Sequence, residues 1–166
     1  EDFEAAEALE EISPVLSRMG RPGIPPKDVV RSIQELMVPA DVSVLKTGQG
    51  LNRALHRLEE VRDNYLPEMT AQDPHYLMKL MEARGMTLVA EMYLRASLAR
   101  KESRCGHFRE DYPLRGGSPT WIRLRREGEG MGISYVPVPC GSEGFPVRPY
   151  RYYMDDFDYP DQPKSI

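Results

Sequence analysis

The stretch from Asp73 to Arg104 constrains the fold more than any other. No proline interrupts it after Pro74, and its apolar side chains recur at helical spacing. Asp73 suits a helix N-cap, and Pro74 suits the first helical position, where a missing N–H costs nothing. One apolar stripe runs through Leu77, Met81, Leu88, Met92, Ala96 and Ala99, and a second through Leu80, Thr87, Leu94 and Leu98. Two stripes predict a helix covered on more than one side, in the middle of a bundle. Gly85 lies in the first stripe, where it costs about 1 kcal/mol of helix propensity and permits close helix approach. Arg100, Lys101 and Arg104 are expected in the last turn, complementing the helix dipole, with Gly106 as the stop.

Three further helical patterns precede this one. From Glu4 to Met19 the positions Ala5, Leu9, Ile12, Leu16 and Met19 predict one buried face, kinked or restarted at Pro14. The segment Gly20-Arg21-Pro22-Gly23-Ile24-Pro25-Pro26 admits no regular element. A short helix then carries Val29, Val30, Ile33, Leu36 and Met37 on its apolar side and ends at Val38-Pro39. The next has Thr47 as its N-cap, a stripe of Leu51, Ala54, Leu55, Leu58, Val61 and Tyr65, and Pro67 as its terminator. Glu59-Glu60 fall on its opposite, solvated face.

Beyond Pro113 the texture changes. Leu114 to Pro119 reads as a loop. Trp121, Ile122 and Leu124, then Glu127-Gly128-Glu129-Gly130, then Ile133, Tyr135, Val136 and Val138 read as a β-hairpin with a four- or five-residue connection. The acidic, aromatic stretch Tyr150–Tyr159 reads as a strap over the bundle, with a partner-docking peptide as the alternative. The expected fold is therefore mainly α: a three- to four-helix, spectrin-repeat-like bundle over 1–113, a loop and β-hairpin over 114–140, and an extended tail over 141–166.

The charge balance excludes several function classes. A net charge of -4, with 29% charged residues, lacks the clustered basic footprint of a nucleic-acid binder. No run of about 18 apolar residues is present to span a membrane. Cys105 and Cys140 are too few for a disulfide scaffold and are expected as free thiols in a reducing, cytoplasmic setting. The opening residue is Glu1 and the chain runs straight into helical pattern, which reads as a fragment or processed product.

Chemistry-bearing residues concentrate in Glu102-Ser103-Arg104-Cys105-Gly106-His107-Phe108-Arg109-Glu110-Asp111-Tyr112-Pro113. Cys105 and His107 could suggest zinc, but a structural site needs about four ligands, and His56 and His75 lie on other helices. A Cys–His nucleophile needs the base within hydrogen-bond reach, which sequence adjacency does not supply. Alternating Arg, His, Glu and Asp at a helix exit instead suits capping of backbone ends and pairing across a domain interface. Gly48-Gln49-Gly50 opens a helix, where anions bind, but lacks the third glycine and the preceding strand of a dinucleotide fingerprint. No GxGxxG unit occurs anywhere in the chain.

The segment DPHYLMKLMEARGMTLVAEMYLRASLARKESRCGHFREDYP resembles the C-terminal helical domain of the succinate dehydrogenase/fumarate reductase flavoprotein superfamily, which includes L-aspartate oxidase and the adenylylsulfate reductase flavoprotein. The matching marks are Asp73-Pro74-His75, Ala90-Glu91-Met92, Glu102-Ser103-Arg104 and Arg109-Glu110-Asp111-Tyr112-Pro113. The resemblance covers about residues 25–140. The segment at Ile24 and the Trp121 hairpin tilt it toward the adenylylsulfate-reductase-like branch. Two departures stand out. The family has Gly directly after the Ser-Arg pair, where Cys105 stands here, and its Asp/Asn-rich loop is replaced by Gly116-Gly117-Ser118.

The resemblance implies that FAD and the substrate site belong to domains outside this chain, and no catalytic residue is carried over. It implies a helical bundle that packs on the flavin domain of a parent oxidoreductase and helps to seat an iron–sulfur subunit. Glu102, Ser103, Arg104, His107, Arg109 and Asp111 are the expected interdomain interface. Detached from its parent, the chain is expected to bind no cofactor and no metal and to self-associate through an exposed apolar patch. The alternative is a free-standing helical interaction module.

Overall fold

Proline and cap placement set the helix boundaries. A computed structural model describes residues 10, 13–116, 118–128 and 130–138. Cys140, the tail over 141–166 and most of the first expected helix lie outside the described residues. Helix α1, Pro26–Met37, starts on Pro26 and buries Pro26, Val29, Ile33 and Leu36. It ends at Met37 with Val38 still in the αR region as its C-cap, and the chain leaves the helix at Pro39, which has no N–H to continue it. A short helix α2, Ala40–Ser43, and a two-residue strand β1, Leu45–Lys46, follow, and neither has a sequence signal of its own. Helix α3, Gly48–Glu60, begins at Thr47, whose Oγ1 accepts the N–H of Gly50 at 2.9 Å.

The end of α3 departs from expectation. The chain widens into a π-helical stretch, Val61–Tyr65, in which an enlarged turn shifts the phase of the residues after it. Tyr65, expected on the buried stripe, is thereby turned to solvent. The same stretch directs Arg62 onto the buried Glu91, which also accepts Arg95 Nε at 2.8 Å. Arg95 Nη2 reaches Glu59 at 3.1 Å. Glu59 is therefore part of an ion-pair network, not a merely solvated charge.

Helix α4, Pro74–Ala99, is capped by Asp73, whose Oδ1 accepts the N–H of Tyr76 at 3.0 Å. Its second apolar stripe is buried as expected: Leu80, Thr87 and Leu94 enter the core with Ala83 and Ala90, against α1 and α3. Of the first stripe, Leu77 packs partly against the core and Ala96 and Ala99 are half-buried. Its middle is open: Met81 is 51% exposed, Leu88 54% and Met92 38%, beside Met78 at 65% and Val89 at 64%. The expected burial of α4 on both sides is corrected accordingly: α1, α3 and α4 pack together on one side only.

The first helix is also corrected in phase. Residues 13–16 are helical, and Val15 enters the core while Leu16 and Met19 are exposed. The chain leaves the helix before Met19, whose backbone bridges to Ala71, and Gly20 turns with φ 73° to donate to the Ala71 carbonyl. Ile24 bridges to Met69, so the proline-rich segment lies alongside residues 68–71.

Two small sheets complete the fold. Strand β1 pairs in parallel with β2, Phe108–Arg109, with Lys46 opposite Arg109. Strands β3, Thr120–Glu127, and β4, Gly130–Pro137, form the expected antiparallel hairpin. They run longer than expected, since Glu127 pairs with Gly130 and leaves a two-residue connection. Gly128 adopts φ 60°, the positive value such tight turns need. Arg100 Nη2 donates to the Thr120 carbonyl, and Tyr135 donates to that of Ala99, fastening the hairpin to the end of α4. Among the described residues no helix is long and apolar enough to cross a membrane.

The two sides of α4 make opposite predictions. Leu94→Ala, inside the core, is expected to cost about 2–5 kcal/mol. Leu88→Ala, on the open face, is expected to cost less than about 0.5 kcal/mol in the same chain. Urea unfolding of both variants checks this, and equal losses would contradict the one-sided packing.

Candidate functional site

Helix α4 stops at Ala99, because Arg100 takes an extended conformation with ψ 97°. The helix therefore ends well before Gly106, and Arg100, Lys101 and Arg104 lie beyond its last turn, which contains no basic residue. The carbonyls freed there are satisfied from a distance. Arg109 Nη1 donates to the Ser97 carbonyl at 2.6 Å, with longer contacts to Leu98 and Arg100, both at 3.4 Å. The other edge of the guanidinium meets Asp111 as a fork, Nε to Oδ1 and Nη2 to Oδ2, each at 2.7 Å. Arg109 is only 2% exposed and also stacks over Tyr112, 5.0 Å from the ring centre.

Asp111 carries the connection onward. Its Oδ2 accepts the N–H of Gly48, the first residue of α3, at 2.9 Å. A Cβ at position 48 would sit 2.8 Å from that oxygen, so glycine is what allows the carboxylate to approach. The cation thus lies at the partially negative end of α4 and the anion at the partially positive end of α3.

The remaining expected site residues gather around this pair. Glu102 is buried, with Arg100 Nη1 at 2.7 Å, Arg104 Nη2 at 2.9 Å and the Gly116 N–H at 2.9 Å. Ser103 Oγ accepts the Arg109 N–H and donates to the Tyr112 carbonyl, both at 2.9 Å. His107 Nε2 faces the Arg100 carbonyl at 3.3 Å and donates to it. The backbones of Arg104 and His107 pair around a tight turn, in which Cys105 has φ 51°. That left-handed conformation favours glycine, which explains the glycine expected there. The structure thus brings all six residues into one loop, with Glu102 and Arg109 turned inward and Asp111 keeping an exposed edge.

Lys46 belongs to the same cluster and has no counterpart among the residues the sequence singles out. It is buried, donates from Nζ to the Ser43 carbonyl at 3.0 Å and lies 5.9 Å from the Tyr93 ring centre. Its signal is absent because Leu45 beside it is the exposed member of the pair.

Electrostatics follow from these contacts. The hydrogen bonds from Arg109, aided by the Gly48 N–H, outweigh partial burial and hold the Asp111 carboxyl down to about 2. Burial pushes Glu102 up, but hydrogen bonds from Arg104 and Gly116 and the nearby arginine charge bring it below the usual carboxylate range. Burial lowers His107, and Lys46, Arg100 and Arg109 lower it further against the opposing bond to the Arg100 carbonyl.

The groups of this cluster that could hold an anion are already partnered within the chain. Among the described residues, the glycine-bearing helix start at α3 already has Asp111 on the Gly48 N–H and Thr47 on the Gly50 N–H. A phosphate would have to displace an internal carboxylate that is itself paired with Arg109. Among the described residues no group of three or more His, Cys, Asp or Glu side chains is placed to hold a metal ion.

A family model described as the C-terminal part of the fumarate reductase flavoprotein matches residues 30–147. An L-aspartate oxidase of Acinetobacter baylyi is 40% identical over 76 residues, covering 43% of this chain and 13% of its own length. One chain of the fumarate reductase (CoM/CoB) of Methanothermobacter marburgensis is 29% identical over 120 residues, covering 69% of this chain and 21% of its own. Among solved structures, Sdh1 of Mycobacterium smegmatis in complex with UQ1 superposes with a TM-score of 0.71 at 24% identity. That match covers 87% of this chain and 25% of the other, and it shows a shared fold.

The Asp111 interaction sets a pH dependence. Its folded pKa lies below the unfolded value of about 4, so its stabilisation is complete above that value and is lost as pH falls toward about 2. Glu102 acts with the same sign. The stability lost between pH 5 and 2 should therefore be smaller in Asp111→Asn than in the unsubstituted chain, as measured by thermal unfolding across that range. Parallel pH profiles would contradict the assignment.

Proposed function

The chain belongs to the fumarate reductase flavoprotein C-terminal family, and from that premise we propose that it is the non-catalytic helical domain of an FAD-dependent oxidoreductase of the fumarate reductase/succinate dehydrogenase type. The family match over residues 30–147 carries this reading. The chain spans only 13–21% of the length of the two curated relatives described above, which leaves most of such a parent outside it. In this proposal FAD and the acid substrate bind in that remainder. The filled N-terminus of α3 supports the division, since this glycine-bearing helix start is committed to Asp111.

The partner of the domain is the flavin domain of the same parent, and an iron–sulfur subunit is a second partner in a cytoplasmic complex. The outer edge of the 102–111 loop, with the half-buried Arg104 and His107 and the exposed Asp111, lies at the interdomain boundary, while Glu102, Ser103 and Arg109 hold that edge in shape. Within the same proposal the chain divides into 1–113, 114–140 and 141–166, and its bundle is of the spectrin-repeat-like kind. The mutual packing of α1, α3 and α4 supports the bundle description.

Visible absorption tests the reading. The full-length parent, purified from its open reading frame, is expected to show flavin absorbance, and the chain over 1–166 is expected to be colourless. Flavin bound stoichiometrically to the chain alone would contradict it.

A further inference from the structure

The open side of α4 is an apolar face with no described occupant. At 100° per residue, Met78, Met81, Leu88, Val89 and Met92 lie on the side of the helix opposite Leu80, Thr87 and Leu94. The face runs about 21 Å along the axis from Met78 to Met92. Its positions carry no ionisable side chain, and Lys79 and Glu82 pair with each other at its margin, 2.8 Å apart. A water-exposed stripe of this extent is uncommon on a monomer and marks a contact surface.

Gly85 supplies an independent observation. It sits in the middle of this stripe, in a helix interior where glycine costs about 1 kcal/mol relative to alanine. A Cβ built there meets nothing within 4 Å. No packing between described residues requires the glycine, whereas an external surface resting on the helix backbone does. At the far end the stripe continues past Ala96 into a groove that Ala96 shares with His107 and the exposed Trp121. The apolar face and the outer edge of the 102–111 loop are therefore neighbours.

Resting on the function proposed above, we propose that the flavin-binding part of the parent chain seats on this face of α4, with Met78, Met81, Leu88, Val89 and Met92 as its apolar contacts and Gly85 as the point of closest approach. An uncharged face suits a permanent contact within one chain better than a transient encounter, whose surface is more polar. The family description makes this chain the C-terminal part, so the flavin-binding part precedes it. The chain arriving from that direction passes Met19, whose backbone bridges to Ala71 just before the Asp73 cap of α4. At Met19 the chain therefore runs beside the segment that leads into the helix on which Met78 and Met81 stand.

Methionine oxidation reads this face directly, because exposed thioethers convert to sulfoxides that mass spectrometry counts residue by residue. The chain over 1–166 and the full-length parent are exposed to the same dose of hydrogen peroxide, with the buried Met69 as the internal reference. In the chain alone, Met78, Met81 and Met92 should oxidise at least about tenfold faster than Met69, and in the flavin-bearing parent they should slow to the Met69 rate. Equal rates in chain and parent, with the parent yellow, overturn the seating and leave the proposed function standing. Protection that appears in the chain alone and grows with its concentration assigns the face to a second copy and also overturns the proposal. A parent without flavin overturns the function first, and this inference with it.

Discussion

Two helix ends of opposite polarity meet at Arg109 and Asp111. The last carbonyls of an α-helix and its first N–H groups lack partners within the helix, and burying them unpaired is costly. Here the guanidinium of Arg109 serves the carbonyl end of α4, while the carboxylate of Asp111 serves the N–H end of α3. The buried Arg109 charge alone would be expensive; joined to the partly exposed Asp111 as a bidentate fork, it is paired, and the two satisfy both helix ends. The pairing of β1 with β2 follows from the same residue, since Arg109 lies opposite Lys46, immediately before the Thr47 cap of α3. The loop from Glu102 to Gly116 closes around it through Ser103 and Glu102.

This brace accounts for the crowding of charged groups at one helix exit. Arg109, Asp111 and Glu102 are committed to backbone groups and to charged neighbours. The face of α4 turned away from the core is committed to nothing among the described residues. Under the proposed function, the domain divides into an inner polar brace that sets its shape and outer surfaces that meet the rest of the parent.

The helix starts are legible because their signals are local. Thr47 caps α3 within one turn, Asp73 and Pro74 open α4, and Pro39 follows the end of α1. What the sequence does not reveal depends on distant partners. Its pattern points to an end of α4 near Gly106, with local cations in the last turn, but Arg109 provides the positive charge from β2 and the helix ends at Ala99. Periodicity places Leu16, Met19 and Tyr65 inside, and a departure from the helix or a π-helical stretch moves them out. Both stripes of α4 are plain as apolar. That the first lies open from Met81 to Met92 cannot be read, because periodicity identifies an apolar face and not the body that covers it. In the candidate site, the clustering of Glu102 to Asp111 is plain, but the inward turn of Glu102 and Arg109 and the burial of Lys46 rest on tertiary contacts with no sequence signature.

A double-mutant cycle tests the brace most directly. Arg109→Met, Asp111→Asn and the double variant are unfolded in urea at pH 7 beside the unsubstituted chain. If Arg109 and Asp111 act as one unit joining the two helix ends, the coupling energy should reach about 1–3 kcal/mol, so that the double variant loses clearly less than the sum of the single losses. Additive losses would mean that each residue serves its own helix end independently, and would contradict the account.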